Sequence, residues 1–102
     1  MKIVDNYCGD IQKRMKKILK KVFGYNSVSE GMKWRLHYRG CIEKIIGKRV
    51  EETSFDEIKE NKLCYEYARY KTLDRILELY VSSVSLQKYQ MKDFEEYGRE
   101  GI

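Results

Sequence analysis

Apolar residues recur at helical spacing along almost the whole chain. Ile11, Met15, Ile18 and Val22 fall at intervals of four, three and four, which predicts an amphipathic helix over about 9–23. After Gly24, Ser27 and Glu30 have the S-x-x-E spacing of a capping box. In that arrangement the hydroxyl and the carboxylate satisfy the free amides of a helix start, so a second helix is expected from 28 to about Gly47, where the glycine can close it. Ser54 and Glu57 repeat the signal and open a third helix reaching about Tyr80, with Leu63, Tyr67, Tyr70, Leu73, Leu77 and Tyr80 as its stripe. The pattern weakens at Asn61–Lys62, where a kink or break is expected. Ser85 reads as the cap of a fourth helix over about 86–97, although Lys88 stands where the box needs an acidic or amide side chain. The last residues, REGI, read as a frayed tail.

The caps belong to a longer recurrence. Displacing the chain by 58 positions sets MKKILKKVFGYNSVSE over LDRILELYVSSVSLQK without a gap. Lys17 then meets Arg75, Ile18 meets Ile76, Leu19 meets Leu77, Phe23 meets Val81, Ser27 meets Ser85 and Val28 meets Leu86. IEKIIGKRVEETSFDE fits the same template, with Ile45, Ile46, Val50, Ser54 and Phe55 in the matching columns. Each copy is an apolar helix end, a polar connection and a serine followed by an apolar residue, as an internal duplication would leave. The expected fold is all-α, a single domain of two similar αα-hairpin motifs, about 7–50 and 54–98. Short connections should set its four helices antiparallel and leave a groove between the motifs. Gly31 and Gly40, inside the second helix, suggest close backbone approach, of another helix or of a ligand.

Length and composition fit this reading. The chain has 102 residues, no proline, 42% hydrophobic and 36% charged residues, enough for one modest core and unlike a disordered chain. No apolar run approaches the roughly 18 residues of a membrane span, and MKIVDNYCGD lacks a signal-peptide core, so an intracellular protein is expected. Cys8, Cys41 and Cys64 show no C-x-x-C spacing; buried thiols are expected rather than a disulfide framework or a zinc site.

The net charge of +5 is uneven. Residues 1–50 carry 13 Lys and Arg against 4 Asp and Glu, a balance of +9, and residues 51–102 carry 8 against 12, a balance of −4. Lys13, Arg14, Lys16, Lys17, Lys20 and Lys21 crowd one helix. Such a helix suits phosphates, an anionic membrane surface, or simply the solvated side of a bundle. Arg35 and Arg39, with Trp34 and Tyr38 nearby, add charge and stacking surface for nucleic acid. The FGYNS connection resembles a helix-turn-helix corner, but Lys20 occupies the position four before the turn glycine, where that motif needs a small residue.

Chemistry has little footing. His37 is the one histidine, and it has no metal-ligand spacing around it. Asp56–Glu57 and Glu95–Glu96 are sequence neighbours, which diverge on a helix, so they suit solvated faces better than an acid–base pair. No phosphate-binding glycine motif occurs. No cofactor, metal or catalytic group is therefore expected, and the leading expectation is a non-enzymatic module holding a peptide or partner protein in the groove. Trp34, Tyr38, Tyr65, Tyr67 and Tyr70 are its candidate anchors, since aromatics carry most energy at interfaces. The alternative is nucleic-acid binding through the basic residues named above. A homodimer is compatible with either.

A chain of this length, rich in Lys, Glu, Ile and Tyr, with one alanine and no proline, resembles the small proteins of filamentous viruses that infect hyperthermophilic archaea. The resemblance implies action in the host cytoplasm and partners among viral or host proteins and viral DNA. It also makes a cysteine pairing less improbable, because intracellular disulfides occur in hyperthermophiles.

Overall fold

A computed structural model describes the backbone of residues 2–100 and the side chains of residues 7–88. The described chain is all helical: α1 (Lys2–Ile18), a π turn (Leu19–Phe23), α2 (Val28–Ile46), a 3-10 turn (Val50–Glu52), α3 (Phe55–Glu60) and α4 (Cys64–Glu100). At 37 residues, α4 is about 55 Å long at 1.5 Å per residue. It is the spine of a particle measuring 63 × 28 × 18 Å.

Both long N-terminal helices pack on this spine. Gln12 on α1 hydrogen-bonds Gln87 at 3.1 Å, and the Lys16 ammonium lies 5.8 Å from the Tyr80 ring centre. On α2, Arg35 meets Asp74 at 3.5 Å and Tyr38 accepts from Arg69 at 2.9 Å. Rising numbers on α1 and α2 meet falling numbers on α4, so both run antiparallel to it and follow one another along it. The chain does not adopt the expected hairpin of 9–23 with 28–47. The two helices meet chiefly where Leu19 lies against Gly31, and they share α4.

The capping serines explain two of the helix starts. Ser27 accepts from the Glu30 amide at 3.1 Å, while the Glu30 carboxylate reaches the Asn26 amide, one residue earlier than in a standard box. Ser54 and Glu57 form the complete reciprocal pair. At Ser85 the expectation fails, because α4 runs through it and no fourth helix starts at 86. The VSSVS stretch has no glycine, proline or asparagine to stop a helix. Its serines can bond within the helix, as the Ser83 hydroxyl does by donating to the Tyr80 carbonyl at 2.6 Å. The expected tail at 99–102 is helical as far as Glu100; residues 101–102 lie outside the described residues.

The break expected at Asn61–Lys62 is present and separates α3 from α4. The Leu63 amide donates back to the Ile58 carbonyl at 2.9 Å and the Lys62 amide to Lys59 at 3.1 Å. Ile58 and Leu63, both buried, share one apolar cluster, which is the contact that accompanies a Schellman ending. Lys62 occupies the left-handed position, φ 56°, where a Cβ costs roughly 1–2 kcal/mol. Lys62→Gly should therefore raise unfolding free energy by about 0.5–1 kcal/mol, since glycine's greater freedom in the unfolded chain offsets part of that strain. Urea denaturation would measure it, and a loss of stability would show that the lysine side chain contributes more than its backbone costs.

The buried interior consists of two clusters along α4. Met15, Leu19, Tyr25, Leu73, Ile76 and Leu77 form one, and Ile42, Val50, Ile58, Leu63 and Tyr70 the other, with Tyr38 packed against both. The 63–80 stripe thus faces inward as expected. The α1 stripe does so only in part: Met15 is buried and Ile11 and Ile18 half-buried, while Val22 is 60% exposed and Leu19 takes the inner position. Val22 lies in the π turn, whose wider winding displaces the last residues from the 3.6-residue register. Helix α1 also begins at Lys2, with Gly9 inside it. A Cβ on Gly31 would stand 3.3 Å from Leu19 and 3.5 Å from Leu77, so this glycine serves helix packing; Gly40 has nothing within 4 Å and supports no close approach.

Candidate functional site

Two of the five anchor candidates, Tyr38 and Tyr65, converge on one side chain, and a third, Trp34, packs beside Tyr38. Arg69, half-buried on α4, sets its guanidinium 4.7 Å from the ring centre of Phe23, 5.3 Å from Tyr65 and 5.5 Å from Tyr38. Its Nε donates to the Tyr38 hydroxyl at 2.9 Å. Among the described residues no carboxylate forms an ion pair with it. Burial works against the charge, but hydrogen bonding to the Tyr25 and Tyr38 hydroxyls and the electrostatic influence of Tyr38 and Tyr65 hold the guanidinium above its ordinary pKa. The negative faces of the rings thus do much of what a counterion would do. The Tyr25 phenol is itself pushed up, mainly by burial, against the opposing effect of Arg69.

Stacked rings extend the cluster over the surface. Phe23 stacks on Tyr25 at 5.3 Å and 17°, and Tyr25 on Trp34 at 6.0 Å and 5°. Trp34 then meets His37 edge-on at 5.2 Å and Tyr38 at 5.9 Å. The π turn delivers Phe23, and Gly24, at φ 77°, turns the chain so that Tyr25 faces α2. Trp34 and Tyr38 are four residues apart on α2, as Tyr65 and Arg69 are on α4, and such pairs share a helix face. Tyr65 is 63% exposed. The cluster therefore has a buried base at Tyr25 and an open rim.

The other two anchor candidates lie elsewhere. Tyr70 is 4% exposed within the second core cluster, where its hydroxyl accepts from Arg39 at 3.3 Å, so it is a core residue and not a surface anchor. Tyr67 is half-buried, 6.4 Å from the Phe55 ring. Phe23, Tyr25 and Arg69 were not among the expected site residues. The Tyr65–Arg69 spacing was the one local sign of them.

No protein-family model, curated protein or solved structure matches the chain. The geometry must therefore carry the functional reading.

The basic candidates divide into two groups. Lys13, Arg14, Lys16, Lys17, Lys20 and Lys21 are all exposed, and none forms an ion pair among the described residues. Arg35 is paired with Asp74 at 3.5 Å, and Arg39 with Glu43 at 3.4 Å and Glu51 at 2.8 Å. Both arginines hold α2 to its neighbours instead of presenting charge to phosphates.

Cys8 is buried, Cys41 half-buried and Cys64 exposed, and all three are free thiols, so burial holds for one of them alone. His37 Nε2 lies 3.8 Å from the Cys41 sulfur. Among the described residues no group of three or more His, Cys, Asp and Glu side chains could hold a metal ion. No described helix is long and apolar enough to cross a membrane.

Proposed function

We propose that the chain is a non-enzymatic protein-interaction module whose seat is the aromatic cluster around Arg69. One observation carries this reading: rings from the π turn, α2 and α4 gather on a single guanidinium while Tyr65 stays 63% exposed. Large, stiff aromatic surface with one polar handle per ring is the usual material of an interaction hot spot. The seat lies at the junction of α1, α2 and α4, since the groove between two hairpins has no second hairpin to bound it. An internal duplication as the origin of the chain rests on the sequence recurrence, whose capping serine is realised at Ser27 and Ser54 and not at Ser85.

Panning a displayed peptide library on the whole protein tests the reading. Trp34 is the sole tryptophan, so its fluorescence should shift on binding. Tyr65→Ala should weaken a selected peptide by about 2 kcal/mol, roughly thirtyfold, and Lys17→Ala should leave it unchanged. Peptides whose affinity ignores Tyr65 and Trp34 would count against the seat.

A second reading is supported by the six exposed cations of α1 and its π turn, which suit a phosphate backbone. Duplex DNA binding through them would give a slope of log affinity on log salt of roughly −0.9 per neutralised phosphate, abolished when Lys16, Lys17, Lys20 and Lys21 become glutamate.

A further inference from the structure

The chain is too extended for its mass. Its radius of gyration is 18.1 Å, against roughly 13 Å for a compact chain of this length. Its accessible surface is 7804 Å², whereas a monomer of this mass exposes roughly 6,100 Å², a surplus of roughly 1,700 Å². A standard interface removes about 800 Å² from each partner, and obligate homodimers remove more. The surplus is the size that a second copy would cover.

Its location follows from the arrangement of helices. Near Gln12 and Gln87, beyond the N-terminus of α2, α1 and α4 form a two-helix arm. One seam between two helices cannot enclose all the apolar positions of both. On α1 and its π turn, Tyr7, Ile11, Ile18 and Val22 follow a four-seven-four spacing. Tyr7 is 61% and Val22 60% exposed, and Ile11 and Ile18 are half-buried. Shallow hollows along this edge lie on either side of Arg14. On α4, Leu79 and Leu86, seven residues apart and therefore on one face, are both exposed. The chain thus has two open apolar strips, one on α1 running from the arm to the π turn beside α2, the other on α4.

We propose that the Tyr7–Val22 edge of one copy packs on the Leu79–Leu86 face of a second copy, so that two arms close into a four-helix bundle. Charge favours this pairing. Residues 2–23 carry seven Lys and Arg against two Asp and Glu, while residues 78–88, around the Leu79–Leu86 face, carry one against one. Setting α1 against its own copy would oppose like charges, whereas α1 against the other copy's α4 meets a face of no net charge and avoids that repulsion. A twofold axis makes the contact twice, which is how a closed dimer forms.

Sedimentation equilibrium of the full chain, at a concentration on the order of 100 μM and so above the range of ordinary specific complexes, should give twice the 12.3 kDa of one chain. Val22→Glu places a carboxylate in the contact and should weaken association on the order of 100-fold. Circular dichroism should show its helices intact, because Val22 is exposed within a single chain. Leu36→Glu, at a similarly exposed apolar site on α2, should leave the dimer unchanged. A monomer at this concentration would overturn the proposal, as would a dimer dissociated by Leu36→Glu and not by Val22→Glu. A monomer that binds vesicles of phosphatidylserine through Val22 would also overturn it, by assigning the edge to a membrane surface.

Discussion

Leu77→Ala is expected to lower unfolding free energy by about 3–5 kcal/mol, the upper part of the range for leucines whose removal leaves a cavity. Leu77 is 0% exposed and sits where three helices share one volume. Its cluster holds Met15 and Leu19 from the α1 side, Tyr25 from the connection and Leu73 and Ile76 from α4. A methyl of Leu77 also lies 3.5 Å from where a Cβ would stand on Gly31 of α2. Collapse into the vacated space is hindered, because shifting any one helix disturbs its contacts with the spine. A domain of this size is stable by roughly 5–15 kcal/mol, so the variant should lose a large part of the total and melt roughly 15–30 °C lower. Thermal melts followed at 222 nm and by Trp34 fluorescence should move together, since Tyr38 packs against both clusters and couples them. A cost below about 1 kcal/mol would mean that Leu77 is not enclosed. Divergent melts would mean that the α1 end unfolds as a separate unit.

Sequence made the helical content, the Ser27 and Ser54 caps, the inward stripe of 63–80 and the break near Asn61 legible. Each depends on residues within about a turn of one another, where periodicity and capping chemistry act directly. The path of the chain between helices was not legible in this way. FGYNS looked like a reversal because a glycine turn between two helices usually makes one. Here the π turn ends α1 late, and α2 follows it along α4. Ser85 matched the Ser27 column of the repeat, but a serine caps a helix only where the preceding residues leave one. Ser82, Ser83 and Ser85 have no breaker before them, so the helix continues. The positions of the aromatic candidates were legible only in part. Trp34, Tyr38 and Tyr65 were visible as residue types, whereas Tyr67 and Tyr70 already stood in the inward stripe of 63–80, and the burial of Tyr70 follows that stripe. Arg69 gave no sign of its role beyond its four-residue spacing from Tyr65, because its other ring partners, Phe23 and Tyr38, come from two separate segments.

Replacing Arg69 is the second change expected to cost heavily. Arg69→Ala removes a charge-assisted hydrogen bond to Tyr38, worth about 1.5–3 kcal/mol, and cation–ring contacts of about 0.5–1 kcal/mol each at partly exposed sites. These contributions share one side chain and do not add in full, so a loss of about 2–4 kcal/mol is expected. Arg69→Lys keeps the charge but not the planar fork, which can lie flat on Phe23 while donating to Tyr38; it should recover less than half of the loss. Arg69→Met keeps much of the bulk without charge and separates packing from cation–ring attraction. Near-ultraviolet circular dichroism should weaken in the alanine variant, since Phe23, Tyr25 and Trp34 stack in series beside the lost guanidinium. If Arg69→Ala instead unfolds within about 0.5 kcal/mol of the parent, the arginine merely lies on the rings, and the aromatic seat is held by ring stacking alone. In that case peptide affinity should survive the substitution. If the cation braces the seat, stability and affinity should fall together, because the rim aromatics Tyr65 and Trp34 keep their positions only while the π turn, α2 and α4 are tied to one another through it.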